Sequence, residues 1–434
     1  MRELTTFNRN VRQTNEPSFF RLVHAEVIAP APTGSAVRAK VRAIDEPGGG
    51  EHFLGEASWP TPALSAVPNA GDECLVGIDE GGQPWIVAWG ISAWPSGPDV
   101  EHLLTALTPA AITSGKYPYG VAVSPDGRHV YVAARKSEKI YQFLRNTTTG
   151  LLSPLPSPTV EVGYGCCRIV VSPDGRHVYV STTAEDVVQF SRNYETGELK
   201  ELSTKVINTG ETNCENITIS PDGKHVYVAC NGSAVIWLAE RNAETGQLKA
   251  LGTPTIAVGA YPNGICVSPD GTSVYCGSAS AEAVYQYERN ATTGQLKAMA
   301  TPHVPAGLSP EGIAISPDGK SVYQTARDSA AVYQYERNTS TGALTALSPA
   351  YVAAGTKAHA VAVSPDGQSV YAANEGAADV SQYERNTSTG ALTTMATPTI
   401  AAGTEPYGIA ISPDGKHVYV NNEGSENVSM YSRA

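Results

Sequence analysis

The chain of 434 residues carries 30 Lys and Arg against 42 Asp and Glu, which gives a formal net charge of −12 at pH 7. No Lys- or Arg-rich run interrupts this acidic balance, so the sequence lacks the electrostatic footprint of a nucleic-acid-binding protein. No apolar stretch approaches the length of a membrane-spanning helix, and the polar first residues lack the apolar core of a signal peptide. We therefore expect a protein that is made in the cytoplasm, binds no nucleic acid and does not span a membrane.

Short runs of alternating apolar residues fill most of the first hundred residues. Separated by Gly- and Pro-rich turns, these runs predict five to six β-strands within residues 18–95. A domain of this size is typical of a small Greek-key barrel such as an OB-fold. Residues 1–17 form an N-terminal arm in this interpretation. Residues 96–102 form a Pro/Gly/Ser-rich linker that is too short to let two domains move freely.

The end of this predicted barrel resembles the OB-fold domains of phage and contractile-tail baseplate spike proteins. The resemblance rests on the strand Gly71-Asp-Glu-Cys-Leu-Val-Gly-Ile, an acidic Gly-rich turn, and the strand Pro84-Trp-Ile-Val-Ala-Trp. It implies docking on tail hub or baseplate proteins, and a homo-oligomer, a trimer, formed through the N-terminal domain. The spike family continues into a β-helix or needle, which does not follow here. An unrelated barrel that serves as a generic adaptor stays an alternative.

The tetrapeptide Ser-Pro-Asp-Gly recurs seven times at intervals of 48 residues. A fixed period of this length is the signature of a repeat fold, in which each unit buries its apolar faces against its neighbours. In each copy Pro presets φ and Gly accepts a positive φ, so the tetrapeptide predicts the turn of a β-hairpin. The copies start at Ser124, Ser172, Ser220, Ser268, Ser316, Ser364 and Ser412.

Each repeat contains four short apolar runs, which predict four β-strands. In the fifth unit these runs are Ile313 to Ile315, Val322 with Tyr323, Ala331 to Glu336, and Ala343 to Leu347. No helical periodicity accompanies them. Four strands per unit are typical of a propeller blade, so residues 103–434 predict a seven-bladed β-propeller and the whole chain is predicted to be all-β.

The seventh unit lacks a fourth strand, because the sequence ends shortly after its third apolar run. The missing strand is found before the first unit, where Leu103 to Gly115 closely matches Ala343 to Gly355. We expect this N-terminal strand to pair with the third strand of the last unit, near Val428–Tyr431, and to close the ring. Closure removes two sheet edges that would otherwise be exposed.

The repeats resemble the YVTN-type, lactonase-like propellers. The matching run is Gly-Ile-Ala-Ile-Ser-Pro-Asp-Gly-Lys-His-Val-Tyr-Val, from Gly408 to Val420, together with its six relatives. The resemblance covers residues 103–434 and implies the propeller fold. The family contains 6-phosphogluconolactonase-like and muconate-lactonising enzymes, and also many binding and surface proteins, so the resemblance leaves the function open.

One position of the repeat changes its chemistry in every unit. It lies in the loop before the innermost strand, where the mouth of the central channel is expected. Its residues are Tyr119, Cys167, Glu215, Asn263, Glu311, His359 and Tyr407. The next position is Gly or Ala in five units, but Arg168 and Asn216 in the other two.

These side chains predict a ligand-binding site at the channel mouth. Glu215, Glu311 and Arg168 supply charge for ionic or hydroxyl-rich groups, and tyrosine rings stack on sugars. His359 predicts a pH dependence near 6–7 if it touches the ligand. The same groups could carry out acid–base chemistry, although no individual catalytic role is assigned. The alternative is that a wet channel mouth tolerates any polar residue.

The other polar and sulfur-containing residues point to structure. The cysteines form no Cys-x-x-Cys pair and the turn aspartates are explained by their turns, so no metal or cofactor is expected. Cys166 and Cys214 occupy equivalent positions in adjacent units, and a disulfide between them is left open. Buried thiols are expected at Cys230, Cys266 and Cys276. Surface positions are expected for His129, His177, His225 and His417.

Taken together, these features favour a structural and binding protein of a phage tail or tail-like injection particle. The OB-like domain would dock on the tail hub or baseplate, and the propeller would present a face to a host-surface glycan or protein. The location expected with this function is the tail tip or baseplate of a virion. A lactonase-like hydrolase or cyclase with an appended β-domain is the main alternative, and a scaffold that binds a protein partner is the third.

Overall fold

The computed structural model describes residues 102–163 and 165–433, and in the first hundred residues the backbone of five strands. The chain divides into two compact units, Met1–Val100 and Glu101–Ala434. The expected arm and nearly all of the expected linker lie outside the described residues. The strands of the first unit are β1 (Arg21–Ala29), β2 (Arg38–Ala43), β3 (His52–Ser58), β4 (Glu73–Ile78) and β5 (Pro84–Trp89).

These five strands pair in the order β1-β2-β3-β5-β4, and β4 pairs again with β1, so that the sheet closes on itself. The pairs are antiparallel except for β3 with β5, which is parallel. The predicted strand runs are therefore strands, and the assignment of this barrel to the OB-fold stays a prediction.

The second unit consists of seven four-stranded antiparallel sheets, which are the blades of a propeller. This confirms the predicted fold. The inner strands are β7 (Pro118–Val123), β11 (Cys166–Val171), β15 (Cys214–Ile219), β19 (Pro262–Val267), β23 (Pro310–Ile315), β27 (Ala358–Val363) and β31 (Pro406–Ile411). The second strands are β8 (His129–Ala134), β12 (His177–Thr182), β16 (His225–Cys230), β20 (Ser273–Ser278), β24 (Ser321–Ala326), β28 (Ser369–Asn374) and β32 (His417–Asn422). The third strands are β9 (Lys139–Arg145), β13 (Asp186–Arg192), β17 (Val235–Arg241), β21 (Ala283–Arg289), β25 (Ala331–Arg337), β29 (Asp379–Arg385) and β33 (Asn427–Arg433). The outer strands are β10 (Leu152–Glu161), β14 (Leu199–Asn208), β18 (Leu248–Ala257), β22 (Leu296–Pro305), β26 (Leu344–Ala353), β30 (Leu392–Ala401) and, for the last blade, β6 (Leu104–Thr113).

The hydrophobic core lies between neighbouring blades. Every residue of each second strand is buried, which suits the β-branched and aromatic residues that these strands carry. Tyr131 and Ile140 of the first blade, for example, pack against Val178 and Phe190 of the second. Each blade therefore depends on the next one for its core, as expected for a repeat fold. Among the described residues no helix has the length and apolar character needed to cross a membrane.

The N-terminal strand closes the ring, as predicted. Strand β6 pairs antiparallel with β33 and places Leu104 opposite Arg433, Ala106 opposite Tyr431, and Ile112 opposite Val428. Leu104 is buried in the core between the last two blades. The first and last parts of the propeller sequence thus share one blade.

Ion pairs between a buried Arg and a turn Asp connect each blade to the next at the Ser-Pro-Asp-Gly turns. Arg192, at the end of the third strand of blade two, reaches back to blade one. There its Nη2 lies 2.7 Å from Asp126 Oδ2 and donates to His129 Nδ1, while its Nε donates to the hydroxyl of Tyr131. We call this Arg–Asp pair, with the Tyr and His around it, an inter-blade latch. The seven pairs are Arg145–Asp414, Arg192–Asp126, Arg241–Asp174, Arg289–Asp222, Arg337–Asp270, Arg385–Asp318 and Arg433–Asp366.

The latches correct two expectations from the sequence. The four repeat histidines are buried and accept a hydrogen bond from the latch arginine, so they are not surface residues. The turn aspartates also do more than form turns, because each one neutralises an arginine from the following blade.

The structure contains one disulfide that was not expected from the sequence. Cys214 and Cys230 form a disulfide across β15 and β16, where the two residues face each other with Cα atoms 3.8 Å apart. Cys166 is free, so the bridge between Cys166 and Cys214 that was left open does not form. Cys230 is therefore part of a disulfide and not the buried free thiol that was expected. Facing positions of one hairpin lie within bridging distance, whereas equivalent positions of neighbouring blades are held farther apart.

Candidate functional site at the mouth of the central channel

A β-bulge at the start of each inner strand positions the variable residues. In β7, Pro118 pairs with Ala134 but Gly120 already pairs with Ala133, so Tyr119 is the extra residue. The other six inner strands shift register at the same place. A bulge of this kind re-aims a side chain out of the ladder. The variable residues therefore lie on the inner strands themselves rather than in the loop before them.

The residue after the bulge lies where neighbouring inner strands come closest. A Cβ atom at Gly120 would lie 2.5 Å from the carbonyl oxygen of Cys167, and one at Gly264 would lie 2.2 Å from that of Glu311. Glycine is therefore required at these two places. Blade two carries Arg168 at the equivalent position, which lets one cation project into the channel.

Two tyrosines and a glutamate form a hydrogen-bonded chain across the channel mouth. The hydroxyl of Tyr407 donates to the hydroxyl of Tyr119 over 2.8 Å, and Tyr119 donates to Glu215 Oε2 over 2.9 Å. Arg135 Nη2 lies 3.3 Å from the other carboxylate oxygen of Glu215. Burial, followed by the nearby Tyr407 and Glu215, raises the pKa of Tyr119 well above its usual value, so both phenols stay protonated donors.

His359 and Glu311 form the second half of the site. The His359 ring packs on the Tyr407 ring with centroids 3.5 Å apart, and its Nδ1 lies 3.1 Å from the backbone oxygen of Tyr407. A carbonyl oxygen only accepts, so Nδ1 carries the proton and Nε2 presents its lone pair. Nε2 lies 3.6 Å from Glu311 Oε2.

Burial makes both members of this pair neutral at pH 7. It raises the pKa of Glu311 to about 8, against the opposing effect of Arg168 and Arg327. It also lowers the pKa of His359 well below 6.5, with help from the same two arginines. The protonated carboxyl of Glu311 thus faces the unprotonated nitrogen of His359. Burial beside two cations thus lowers the pKa of His359 below the range of pH 6–7 from which the expected pH dependence was argued.

Arg168 crosses the channel between these two halves. Its Nη1 donates to the backbone oxygen of Tyr119 over 3.0 Å, and its Nη2 lies 3.5 Å from His359 Nδ1. The guanidinium carbon lies 5.2 Å from the ring centre of Tyr119 and 5.5 Å from that of Tyr407, within the range of cation–π attraction. Arg168 therefore places a positive charge at the centre of the site.

Six of the eight predicted residues contact one another, Cys167 lies beside them without a direct hydrogen bond to them, and Asn263 is held elsewhere. Cys167 is fully buried, its Sγ lies 3.2 Å from the Gly165 oxygen, and burial raises the pKa of its thiol. Asn263 is also buried and is held by Asn231 and the Pro310 oxygen. The six residues that meet are called the channel-mouth cluster: Tyr119, Arg168, Glu215, Glu311, His359 and Tyr407.

Sequence reasoning missed a second variable position, directly after each second strand. Arg135 of this set pairs with Glu215, and Arg327 and Lys357 both pair with Glu375, at 3.3 and 2.9 Å. The same comparison between repeats would have found these residues. At this position the seven blades carry Arg135, Thr183, Asn231, Ala279, Arg327, Glu375 and Glu423.

The cluster offers three chemical functions close together. Arg168 provides a fixed positive charge, Glu311 a proton donor near neutral pH, and His359 a neutral proton acceptor beside it. Within residues 102–163 and 165–433, no three His, Cys, Asp or Glu side chains group as ligands of a metal ion would. Perturbed acids and bases that converge at a channel mouth are typical of a functional site.

A family model described as "Lactonase, 7-bladed beta-propeller" matches residues 104–168, 159–261, 253–357 and 346–434. The chain belongs to this family. Among curated proteins, no significant sequence match is found.

Solved structures agree on the fold. A Bacteroides fragilis protein provisionally assigned as a 6-phosphogluconolactonase aligns at 17% identity and a TM-score of 0.58, over 89% of this chain and 97% of that one. The periplasmic gluconolactonase of Pseudomonas aeruginosa aligns at 16% identity and 0.56, over 89% and 98%. A chain of Kuenenia stuttgartiensis hydrazine synthase aligns at 18% identity and 0.57, over 79% and 99%. At these identities the similarity is one of fold alone.

The family match corrects the function that the N-terminal resemblance favoured. The interpretation as a phage tail or tail-like particle protein is wrong, because the match places most of the chain in a lactonase family. It rested on about 70 residues, whereas the propeller makes up about three quarters of the chain. Trimeric docking through the N-terminal unit stays a prediction.

Proposed function

We propose that this protein is a hydrolase that opens the ring of a lactone at the channel-mouth cluster. The observation that carries the proposal is that Glu311 Oε2 lies 3.6 Å from His359 Nε2 beside Arg168, where burial raises the pKa of Glu311 and lowers that of His359. Lactone hydrolysis needs a base for water, an acid for the ring oxygen and a positive charge for the carbonyl oxygen. Membership of the lactonase propeller family supports the same class of reaction.

The pair can perform both proton transfers. As the water oxygen adds to the lactone carbonyl carbon, Glu311 passes its proton to Nε2 of His359 and at the same time takes a proton from that water. Arg168 stabilises the negative oxygen of the resulting tetrahedral intermediate. As the ring C–O bond breaks, Glu311 gives its proton to the leaving oxygen. His359 then returns its proton to Glu311, and the product is a hydroxy acid.

The other members of the cluster hold these groups in place. Tyr407 fixes the tautomer of His359 through its backbone oxygen and packs against the ring. Glu215 carries a negative charge that Arg135 and the Tyr119 hydroxyl share, so it does not compete for the Arg168 charge through a direct hydrogen bond. Acid–base residues need such support, since small displacements reduce the rate strongly.

The test is lactone hydrolysis by the full chain and by Glu311→Gln. Glucono-δ-lactone, 6-phosphogluconolactone and γ-alkyl lactones form the panel, and acid release is followed at constant pH. Glu311→Gln keeps the shape but removes proton exchange, and we expect kcat/KM to fall about 10²–10⁴-fold. Glu336→Gln is the matched control, because Glu336 is an exposed residue of the same blade.

Two results would overturn the proposal. The first is a folded wild-type protein that hydrolyses no lactone of the panel. The second is a Glu311→Gln variant that keeps the wild-type rate.

A further inference from the structure

The first residue of each inner strand lies directly before the bulge residue and fixes where the bulge begins. In four blades this residue is a proline, whose ring holds φ at about −65°. These prolines are Pro118, Pro262, Pro310 and Pro406. Blade three carries Cys214 instead, and its disulfide to Cys230 ties the start of β15 to the end of β16, fully buried in the core that is shared with blade two. A covalent cross-link thus stands where four other blades have a rigid ring.

In blade three the bulge residue is Glu215, the final acceptor of the hydrogen-bonded chain across the channel mouth. Its carboxylate accepts a hydrogen bond from the Tyr119 hydroxyl over 2.9 Å and lies 3.3 Å from Arg135, and both partners belong to blade one. Its backbone oxygen accepts a hydrogen bond from Ser181 Oγ over 2.8 Å. The disulfide therefore constrains the peptide before Glu215, and Ser181 holds the peptide after it.

A displacement of Glu215 would reach the acid–base pair through this chain. The Tyr119 hydroxyl also accepts the hydrogen bond from Tyr407, whose ring packs on His359. Hydrogen bonds weaken steeply when their distance or angle departs from the preferred values. A misplacement of about 1 Å can reduce the rate of an enzyme about 10²-fold even when it starts away from the reacting atoms.

We propose that Cys214 and Cys230 are positioning residues, whose disulfide holds Glu215 in place for Tyr119 and Arg135. The inference rests on the proposed function for its effect on catalysis, because that reaction is the reason that the cluster needs a fixed geometry. A cross-link that only stabilised the blade could be replaced by any well-packed pair of side chains. A positioning cross-link can be replaced only by another constraint on the same residue of the inner strand.

The repeat itself supplies such a constraint. Pro118 pairs with Ala134 in blade one as Cys214 pairs with Cys230 in blade three. The residue that precedes the pair has a φ of 54° in blade one and 55° in blade three. The backbone of blade three therefore accepts a proline at position 214, and the double substitution Cys214→Pro/Cys230→Ala copies blade one.

The test compares two double variants of the full chain. The alanine pair, Cys214→Ala/Cys230→Ala, removes the disulfide and puts no constraint in its place, whereas the proline pair, Cys214→Pro/Cys230→Ala, removes the disulfide and restores a constraint. Carbon NMR of protein labelled at the tyrosine ζ carbons reports on the Tyr119 hydroxyl, with Tyr119→Phe used to assign the resonance. We expect this resonance to move towards those of exposed tyrosines in the alanine pair and to return to its wild-type position in the proline pair.

Lactone hydrolysis gives the second readout. In the alanine pair we expect kcat to fall about tenfold with little change in KM, because the substrate still binds while the groups that act on it are displaced. The proline pair should recover the wild-type kcat. Thermal unfolding is measured alongside, since both double variants lack the cross-link and a loss of stability alone does not separate them.

Cys276→Ala is the matched control, because Cys276 is a fully buried free thiol on β20 of blade four. It should leave the Tyr119 resonance and kcat unchanged. If the alanine pair does not fold, the single substitution Cys230→Ala takes its place, because it also leaves Cys214 without a constraint.

The outcomes separate this inference from the proposed function. An unmoved Tyr119 resonance in the alanine pair, or equal shifts in the two double variants, would overturn the positioning role and leave the hydrolase. A resonance that moves and is restored, in a protein whose wild type hydrolyses no lactone, would keep the positioning of Glu215 and remove the hydrolase. In an active wild type, the same resonance behaviour with an unchanged kcat would overturn the effect on catalysis.

Discussion

The two ends of each inner strand follow opposite rules. At the Ser-Pro-Asp-Gly end the same residues occur in all seven blades, and each Asp forms a latch with a buried Arg of the following blade. At the bulge end the residue varies from blade to blade, and five bulge side chains from five blades meet Arg168 of blade two in one cluster. A propeller ring needs equivalent contacts between all neighbouring blades, whereas a site for an asymmetric ligand needs different residues in different blades. The repeat thus separates stability from function within a single strand.

Opening the ring should reduce the stability of the propeller more than any other change considered. Deleting residues 103–108 removes half of β6, exposes the edge of β33 and uncovers the core that Leu104 closes. We expect the single cooperative thermal transition to be lost. Differential scanning calorimetry of the full chain and the deletion variant measures this. An unchanged transition would show that the strand does not close the ring.

Removing one latch should have the next largest effect. Arg192→Ala leaves Asp126, whose side chain is only 8% exposed, without its cation. Losing one partner of a buried ion pair costs about 3–5 kcal/mol. Arg433→Ala is the matched comparison, because its partner Asp366 is 36% exposed and water can replace the arginine. Urea unfolding should therefore show a much smaller loss for Arg433→Ala, and equal losses would contradict the role of burial.

The latch histidines should make the propeller sensitive to acid. Burial and the neighbouring Arg241 lower the pKa of His177 to about 4, whereas an unfolded histidine titrates near 6.5. The unfolded state binds the proton first, so stability is lost as the pH falls from 6.5 towards 4. Serine occupies the equivalent position in blades four to six, which makes His177→Ser a natural substitution.

The substitution His177→Ser should remove the contribution of one latch histidine to the destabilisation of the propeller by acid. When the pH falls from 7 to 4, we expect the wild type to lose about 2–3 kcal/mol more of its free energy of unfolding than His177→Ser loses. Urea unfolding at the two pH values measures the difference. If the free energies of unfolding of the two proteins differ by the same amount at both pH values, His177 has the same pKa in the folded and the unfolded state.

A single hydroxyl of the cluster should have the smallest effect. Tyr407→Phe removes the hydrogen bond to Tyr119 but keeps the ring that packs on His359. The expected loss is about 1 kcal/mol in the free energy of unfolding. Tyr194→Phe, at a side chain that is 56% exposed, is the control and should change nothing. If Tyr407→Phe lost more free energy of unfolding than Arg192→Ala, the bulge end of the inner strands would be the one that stabilises the propeller, contrary to our assignment.

The fold was largely predictable because its information is local and repeated. The turn tetrapeptide, the four apolar runs and the match between Leu103 to Gly115 and Ala343 to Gly355 determined the blades, their number and the ring closure. The latches were not predictable in the same way. Six of them join residues 66 or 67 positions apart and Arg145–Asp414 joins residues 269 positions apart, and a lone Asp in a turn gives no sign of its partner in another blade.

The site was predictable in position but not in chemistry. Comparison of the repeats identified the residues of the cluster, because symmetry breaking is visible in sequence. Which of them touch depends on how side chains cross the channel, as Arg168 does from blade two to His359 of blade six. The raised pKa of Glu311 and the lowered pKa of His359 depend on burial, which the sequence pattern at a wet channel mouth did not indicate.

The proposed reaction requires that Glu311 holds its proton at neutral pH and faces a neutral His359. Carbon NMR of the protein labelled at glutamate carboxyl carbons, titrated from pH 4 to pH 10, tests this most directly, with Glu311→Gln used to assign the resonance. We expect one carboxyl carbon that titrates near pH 8 and is missing from the spectrum of the variant. A Glu311 carboxyl that titrates near 4.5 with the exposed glutamates would contradict it.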